Sequence, residues 1–342
     1  MDEQVLVTGA SGFIALQTIL DLLEQGYRVR GSVRSFDKAE QIRETLRPHT
    51  PMADMLELVE ASLDHDRGWA AAVEGCQYVL HIASPFPAER PKDADELIRP
   101  ARDGALRVLK ASKAAGVSRV VLTSSMAAIG YGWGKNRPEP LTEEHWSNPD
   151  ELKDNTPYAR SKTIAEKAAW DFVNSAEGEG LELAVINPVG VLGPLLGKDV
   201  STSTQIISQL LAGSVPRLPK LSFALVDVRD VSAAHIRAMT LPEAAGKRFI
   251  VSDRTLWMTE IADILRKAFA EHAERIPEKE LPNWSLRLLA NVNPPLKNVL
   301  PELGKFRVVS NERMKSVLEI NPTPAEVAIK ETARSLLDLG LV

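Results

Sequence analysis

The chain has 342 residues, 44% hydrophobic and 25% charged, which suits a globular protein able to bury a full core. Forty-one Lys and Arg against forty-six Asp and Glu leave a net charge of −5, so no phosphate-gripping surface is implied and a nucleic-acid partner is not expected. The single cysteine, Cys76, excludes an intramolecular disulfide and fits a reducing compartment. With no basic leader and no run near the roughly 18 apolar residues of a membrane span, the expected location is the cytoplasm, away from any membrane.

The first half alternates short β-branched runs with amphipathic segments, the pattern of a parallel sheet covered on both faces. Gln4 to Val7 is predicted as a buried strand. A helix with Leu16, Ile19, Leu20 and Leu23 on one stripe follows and stops at Gly26. Arg28 to Val33, Leu56 to Val59, Tyr78 to Ala83, Val120 to Thr123 and Leu183 to Ile186 read as further strands. Between them lie helices around Trp69 to Val73, over Leu97 to Ala115 and over Tyr158 to Val173. After Asn187 and Pro188, Gly and Pro recur and long loops are expected. Asp227 to Asp230 leads into a helix, Phe249 to Val251 is a strand, and the remainder is mainly helical, with Ile261, Ile264, Leu265 and Phe269 on one stripe. Ser310 or Asn311 can cap a later helix, and Pro324 can open the last one. The stretch from Leu286 to Leu300 is amphipathic and is expected to pack against the core. The fold class is therefore α/β: a Rossmann-type doubly wound parallel sheet with a smaller, mainly helical substrate lobe. The sheet domain is expected over 1–187 with 227–251 returning to it, and the lobe over 188–226 and 252–342.

The first strand runs into Thr8-Gly9-Ala10-Ser11-Gly12-Phe13-Ile14-Ala15 and then a helix. Gly9 permits a tight turn, Gly12 lets a pyrophosphate approach the backbone, and Ala15 allows close packing of helix on strand. The helix N-terminus offers free N–H groups to the phosphates. This T-G-x-x-G-x-x-A form resembles the short-chain dehydrogenase/reductase superfamily. Val5 to Ala15, Val29 to Lys38, Val79 to Pro85, Val120 to Ser125, Tyr158 to Lys167, Asn187 to Pro194 and Asp227 to Ala238 together resemble its extended branch. Within that branch the chain is similar to the group of dihydroflavonol reductases, cinnamoyl-CoA reductases and yeast-type aldehyde or methylglyoxal reductases.

An NAD site usually ends its second strand in a carboxylate that holds the ribose 2′-hydroxyl, whereas NADP needs a cation there. Here the strand ends Val33-Arg34-Ser35. Arg34 can face a 2′-phosphate, with Ser35 and Lys38 as helpers, so the expected cofactor is NADP(H). The resemblance implies that Asp64 contacts the adenine. The expected cofactor site runs through Gly9, Ser11, Gly12, Phe13, Ile14, Arg34, Lys38, Leu63, Asp64, Ala83, Tyr158, Lys162, Pro188 and Val189.

Tyr158 and Lys162 lie one turn apart on one helix face. A carbonyl that accepts hydride needs a proton on oxygen. A tyrosine beside an ammonium group and an oxidised nicotinamide can exchange one near neutral pH. The resemblance implies that Ser125 is the catalytic serine, with Ser124 one register step away, and that Lys162 also binds the nicotinamide ribose. The six histidines show no ligand spacing, so no metal is expected, and His81 and His235 read as structural. No G-x-S-x-G elbow suggests a hydrolase.

Two other functions fit the same cofactor fold. A nucleotide-sugar epimerase or dehydratase needs cations for a diphosphate, and residues 188–226 offer only Lys198, Arg217 and Lys220. A non-catalytic NADP-sensing protein would not need Tyr158 and Lys162. Gly130 stands where dihydroflavonol reductases carry an asparagine, and Asn155-Thr156-Pro157-Tyr158-Ala159 departs from the cinnamoyl-CoA reductase pattern. The expected substrates are apolar or aromatic aldehydes and ketones. They would be held by Phe86, Met126, Val191 and Phe223, with Ser84, Pro85, Ala127, Ala128, Val189, Leu192, Leu225 and Val226 nearby.

Overall fold

The computed structural model describes residues 3–84, 93–198, 201–292, 296 and 299–342. In chain order the sheet-forming half comprises β1 (Gln4–Val7), α1 (Phe13–Glu24), β2 (Arg28–Val33), α2 (Ala39–Leu46), β3 (Glu57–Glu60), α3 (Trp69–Val73), β4 (Tyr78–His81), α4 (Asp95–Ala114), β5 (Arg119–Thr123), α5 (Pro157–Val173) and β6 (Glu182–Pro188). The chain continues through β7 (Gly190–Leu192), α6 (Thr202–Leu211), β8 (Leu218–Pro219), β9 (Ser222–Asp227), α7 (Val228–Thr240), β10 (Arg248–Val251), β11 (Arg254–Trp257) and α8 (Met258–Ala268). It ends with β12 (Glu280–Leu281), α9 (Asn283–Val292), α10 (Glu312–Val317) and α11 (Ala325–Asp338).

Seven strands form one parallel sheet in the order β10-β6-β5-β4-β1-β2-β3. Both of its faces are covered, which is why its strands read as near-continuous apolar runs rather than alternating ones. Val5 and Val7 point into a core under α1, α2 and α7, while Leu6 between them points into a second core under α3, α4 and α5. The same alternation sends Ala184 and Ile186 to the first core and Leu183 and Val185 to the second. Chain order reverses between β1 and β4, which opens a crevice at their carboxyl ends. Arg119 ties the bottom of the sheet to α7: it donates to the Ala238, Met239 and Leu241 carbonyls and pairs with Glu182.

A third apolar cluster lies beyond the sheet and joins Leu192, Ile207, Leu210, Leu225, Leu256, Ile261, Leu265, Ile329 and Leu336. Helices supply most of it, but the lobe also contains β11-β9-β7 and the pair β12-β8. These strands are two to six residues long, and their partners lie 29 or more positions apart in sequence, so no local period announces them. Helix α6 falls where Gly and Pro predict loops. Its signals are a Ser201 cap, which accepts from Thr204 N–H at 3.3 Å, and a buried stripe of Ile207, Leu210 and Leu211. The flanking glycines and prolines mask them. Met314, Leu318 and Ile320 pack into the first core rather than the lobe, and Asn311 and Pro324 stand at the N-termini of α10 and α11. Trp284, Leu288 and Leu289 of α9 are exposed, so the amphipathic stretch only partly packs onto the core. No helix among the described residues is long and apolar enough to cross a membrane.

Candidate active site

The turn after β1 is shaped by close contact with β4. Gly9 has φ +70°, and a Cβ there would lie 3.0 Å from Ala83 Cβ and 3.2 Å from Ala83 Cα, so only glycine fits. Ala83 is itself held by its N–H, which donates to Thr8 Oγ1 at 2.9 Å. Gly12 is the N-cap of α1 and carries no side chain to cap it, so the first-turn N–H groups, including those of Phe13 and Ile14, face the crevice. This cradle, open at a helix N-terminus and lined by Ser11 and Gly12, has the shape and polarity that a dinucleotide pyrophosphate needs.

Arg34 and Lys38 are exposed beyond the end of β2, and Arg34 has no hydrogen-bond or ion-pair partner among the described residues. Ser35 is already engaged: its Oγ accepts from Asp37 N–H at 3.2 Å and donates to Asp37 Oδ2 at 2.7 Å. Asp37 is therefore bonded back onto its own turn. Asp64 is exposed and held by Ser62, and Leu63 packs over Gly104 of α4.

Helix α5 begins where Thr156 accepts from Ala159 N–H at 3.1 Å and Pro157 occupies the first position. Tyr158 is thereby fixed in the first turn and Lys162 in the second. Across from them the chain leaves β5 at Ser125, whose Oγ accepts from Ala127 N–H at 3.1 Å and hydrogen-bonds the Tyr158 side chain. It is Ser125 that reaches Tyr158; Ser124 Oγ is buried without a partner. Burial pushes the Tyr158 phenol up, and the Ser125 bond pulls it part of the way back. Lys162 is buried, with Nζ 3.4 Å from the Thr123 carbonyl. Burial pushes it down to about 8, and Glu166 opposes that shift. The balance on Tyr158 thus differs from what the Tyr–Lys spacing suggests: desolvation is the leading cause, and Lys162 is not among the groups that shift the phenol.

His81, Ser84, Thr123, Ser124, Lys162 and Glu166 line one narrow cleft. His81 bonds Thr8 Oγ1 at 2.9 Å and is pushed down to about 3 by burial, with Lys162 adding to the shift. His235 sits between Thr123 Oγ1, at 2.6 Å, and the Val231 carbonyl, at 2.7 Å. Both are buried, neutral and structural. Cys76 is also buried, and its thiol is pushed up to about 11 by burial.

The expected substrate residues are only partly together. Met126 follows Ser125 directly. Val191 is buried in β7 within the first core, and Phe223 on β9 is half-buried against the lobe cluster. Pro188 ends β6 and is buried, and Val189 N–H donates to the Val251 carbonyl at 3.3 Å. Pro85 and Phe86 lie outside the described residues.

Two groups of residues near the site carry no signal in the sequence. Tyr131 interacts electrostatically with Tyr158 and is pushed up to about 12 by burial. Its ring lies 4.2 Å from the Arg307 guanidinium, which is buried, paired with Glu302 and bonded to the Gly130 carbonyl. Gly130 is small for a reason: a Cβ there would meet Met126 Sδ at 2.8 Å and Leu141 Cδ1 at 3.1 Å. The other group is Glu166 with Asn187 and Arg248. The Y-x-x-x-K-x-x-x-E spacing places Glu166 on the Tyr158 face, but its partners come from strands far away in sequence.

A glycine turn between the first strand and helix, set where strand order reverses, defines the class: a doubly wound, Rossmann-type α/β protein. Within that class the chain belongs to the NAD dependent epimerase/dehydratase family, whose profile matches residues 5–252. The cinnamoyl-CoA reductase CAD2 of Medicago truncatula is 35% identical over 335 residues, 97% of this chain and 95% of the relative. The NADPH-dependent methylglyoxal reductase GRE2 of Saccharomyces cerevisiae is 37% identical over 292 residues, 80% of this chain and 84% of the relative. The crystal structure of yeast methylglyoxal/isovaleraldehyde reductase Gre2 complexed with NADPH superposes with a TM-score of 0.81 at 30% identity, covering 99% of this chain and 100% of that one.

Proposed function

We propose that this protein is a cytoplasmic NADPH-dependent reductase of aldehydes and ketones, running in reverse as an alcohol dehydrogenase. Its sheet domain would be 1–187 with 227–251, and its substrate lobe 188–226 with 252–342. The observation that carries the reading is the Ser125–Tyr158 hydrogen bond at the carboxyl edge of the sheet, beside a buried Lys162. The relatives named above support it, as do the cation-ended second strand and the glycine cradle. The net charge of −5 and the lone cysteine support a cytoplasmic protein with small-molecule substrates and no nucleic-acid partner.

When bound, NADPH supplies hydride to the carbonyl carbon. Ser125 Oγ and the Tyr158 hydroxyl together accommodate the carbonyl oxygen. As negative charge grows on that oxygen, Tyr158 gives it its proton, and the product is an alcohol. The Lys162 ammonium stabilises the tyrosinate left behind until solvent returns the proton. Gly9, Ser11, Gly12, Phe13 and Ile14 would hold the pyrophosphate, and Arg34 with Lys38 would meet the 2′-phosphate. Leu63, Asp64 and Ala83 would serve the adenosine half, and Pro188 and Val189 the nicotinamide.

Met126, next to Ser125, and the half-buried Phe223 are the apolar residues left to face a substrate, since Val191 is taken up by the first core. Four cations among the described residues that could hold an anion are engaged or exposed. Arg307 is paired with Glu302, Lys220 Nζ sits 5.6 Å over the Trp257 ring, and Lys198 and Arg217 are exposed. Apolar burial is worth about 25 cal/mol per Å², so aromatic and medium-chain aldehydes should show higher kcat/KM than 2-oxo acids or free sugars. A substrate panel followed by NADPH oxidation tests this, and best substrates that are anionic would overturn it. In the same assay Tyr158→Phe should lower kcat by about 100-fold or more while NADPH affinity holds. A mutant with wild-type turnover would remove Tyr158 as the acid.

A further inference from the structure

One turn beyond Lys162, on the same face of α5, lies a carboxylate that the proton transfer above does not use. Glu166 is almost fully buried, yet every one of its close partners is specific. Arg248 Nε, from the edge strand β10, donates to Oε1 at 2.5 Å. Asn187 Nδ2, from β6, donates to Oε2 at 2.8 Å, and Trp170 Nε1 lies 3.4 Å from Oε1. Arg248 is itself held by the Glu143 and His145 carbonyls, at 2.7 and 2.8 Å, and stacks 3.7 Å over the Trp146 ring. Asn187 Nδ2 also reaches the Ser125 carbonyl at 3.2 Å, so one amide joins the Glu166 carboxylate to the turn that carries Ser125.

We propose that Glu166 is a positioning residue of this active site: its charge keeps the Lys162 ammonium in place, and through Asn187 it locks the Ser125 turn to the helix bearing Tyr158 and Lys162. The inference rests on the reductase reading and deepens it. A buried ion pair is weak evidence for stability, because well-packed apolar residues often serve as well, so this arrangement calls for another account. The surroundings of Lys162 supply one. Tyr158 shares its helix, and β4 presents a neutral His81. α4 contributes only Ala101 and Ala105 to the cleft, and β5 offers a carbonyl. Glu166 is the one anionic group acting on Lys162 among the described residues, and it opposes the desolvation that pulls the lysine down. Arg248 pairs with the same carboxylate, and its guanidinium is not among the groups that act on Lys162.

The test is the pH dependence of kcat/KM for the carbonyl, which at saturating NADPH reports the ionisations of the enzyme–NADPH complex before the carbonyl binds. Wild type, Glu166→Gln, Glu166→Asp and Asn187→Ala are compared at saturating NADPH, with melting temperatures recorded for each. Glu166 opposes the desolvation of Lys162, so Glu166→Gln should move the alkaline limb to lower pH, by about one unit. Glu166→Asp keeps the charge and should restore most of the limb's position. Asn187→Ala keeps the charge but cuts the link to Ser125, so kcat should fall with the limb unmoved. If the single Gln variant does not fold, Glu166→Gln combined with Arg248→Met leaves no unpaired buried guanidinium and should show the same downward move. A folded Gln variant, single or double, whose limb stays at the wild-type position overturns the inference. An Asn187→Ala limb that moves as far as the Gln limb also overturns it. Wild-type protein for which no carbonyl of the panel supports NADPH oxidation would instead sink the reductase reading, so the two failures are distinguishable.

Discussion

Arg34→Ala isolates the contact that would distinguish NADPH from NADH. Arg34 is exposed at the end of β2 and has no partner among the described residues, so truncating it removes no contact of the fold. Surface changes of that kind stay within about 0.5 kcal/mol, and the melting temperature should hardly move. A hydrogen bond to a charged group contributes about 1.5–3 kcal/mol, or about 10–150-fold in affinity. The lower part of that range is expected, because the site is open to water and Lys38 remains close by. NADPH should therefore bind about 10–50-fold more weakly at low salt, with the gap narrowing as salt rises. NADH has no 2′-phosphate and should be little affected. Ser35 cannot compensate, since its hydroxyl is committed to Asp37. Fluorescence titrations of both cofactors against both proteins give the four dissociation constants. Equal losses for NADPH and NADH, or unchanged NADPH affinity, would refute the assignment of Arg34 to the phosphate.

Gly9→Ala places a Cβ at φ +70° and 3.0 Å from Ala83 Cβ. It should lower stability by about 1–3 kcal/mol and weaken both cofactors together, read by urea unfolding and by the same titrations. Wild-type stability with intact binding would mean that the turn relaxes at no cost. His235 ionises near 6.5 when free and is pushed down to about 4 in the fold, so between these values the unfolded chain binds more protons. Stability is full above the window and is lost as pH falls through it, at about 1.4 kcal/mol per pH unit where the difference is complete. Unfolding of His235→Gln should show a flatter acid slope; a slope equal to wild type would remove His235 as a contributor.

Much of this protein is legible along the chain. The glycine turn, the six strands β1 to β6, the helix starts at Asn311 and Pro324, and the Tyr158–Lys162 spacing are local patterns. A turn, a helix face and a buried strand are each set by residues a few positions apart, so the sequence alone shows them. The resemblance that assembled these patterns into a reductase also depended on short segments in order. The lobe strands β7, β8, β11 and β12 were not legible, because two to four residues carry no period and their pairing partners are remote. Helix α6 was hidden by its neighbours, and α2 follows β2 without an apolar stripe long enough to stand out: only Ile42 and Leu46 are buried.

At the site the division is sharper. The sequence supplied Ser124 and Ser125 as alternatives, and only the fold shows that the second faces Tyr158. It named Tyr158 and Lys162 as a pair but did not show that burial, not the lysine's charge, dominates the phenol. Glu166, Asn187 and Arg248 meet from α5, β6 and β10, and Gly130, Tyr131 and Arg307 meet across 177 positions of chain. These contacts follow from sheet order and helix packing, and their strengths from the exclusion of water. Neither is encoded in spacing, because desolvation and long-range pairing exist only once the chain has closed around them.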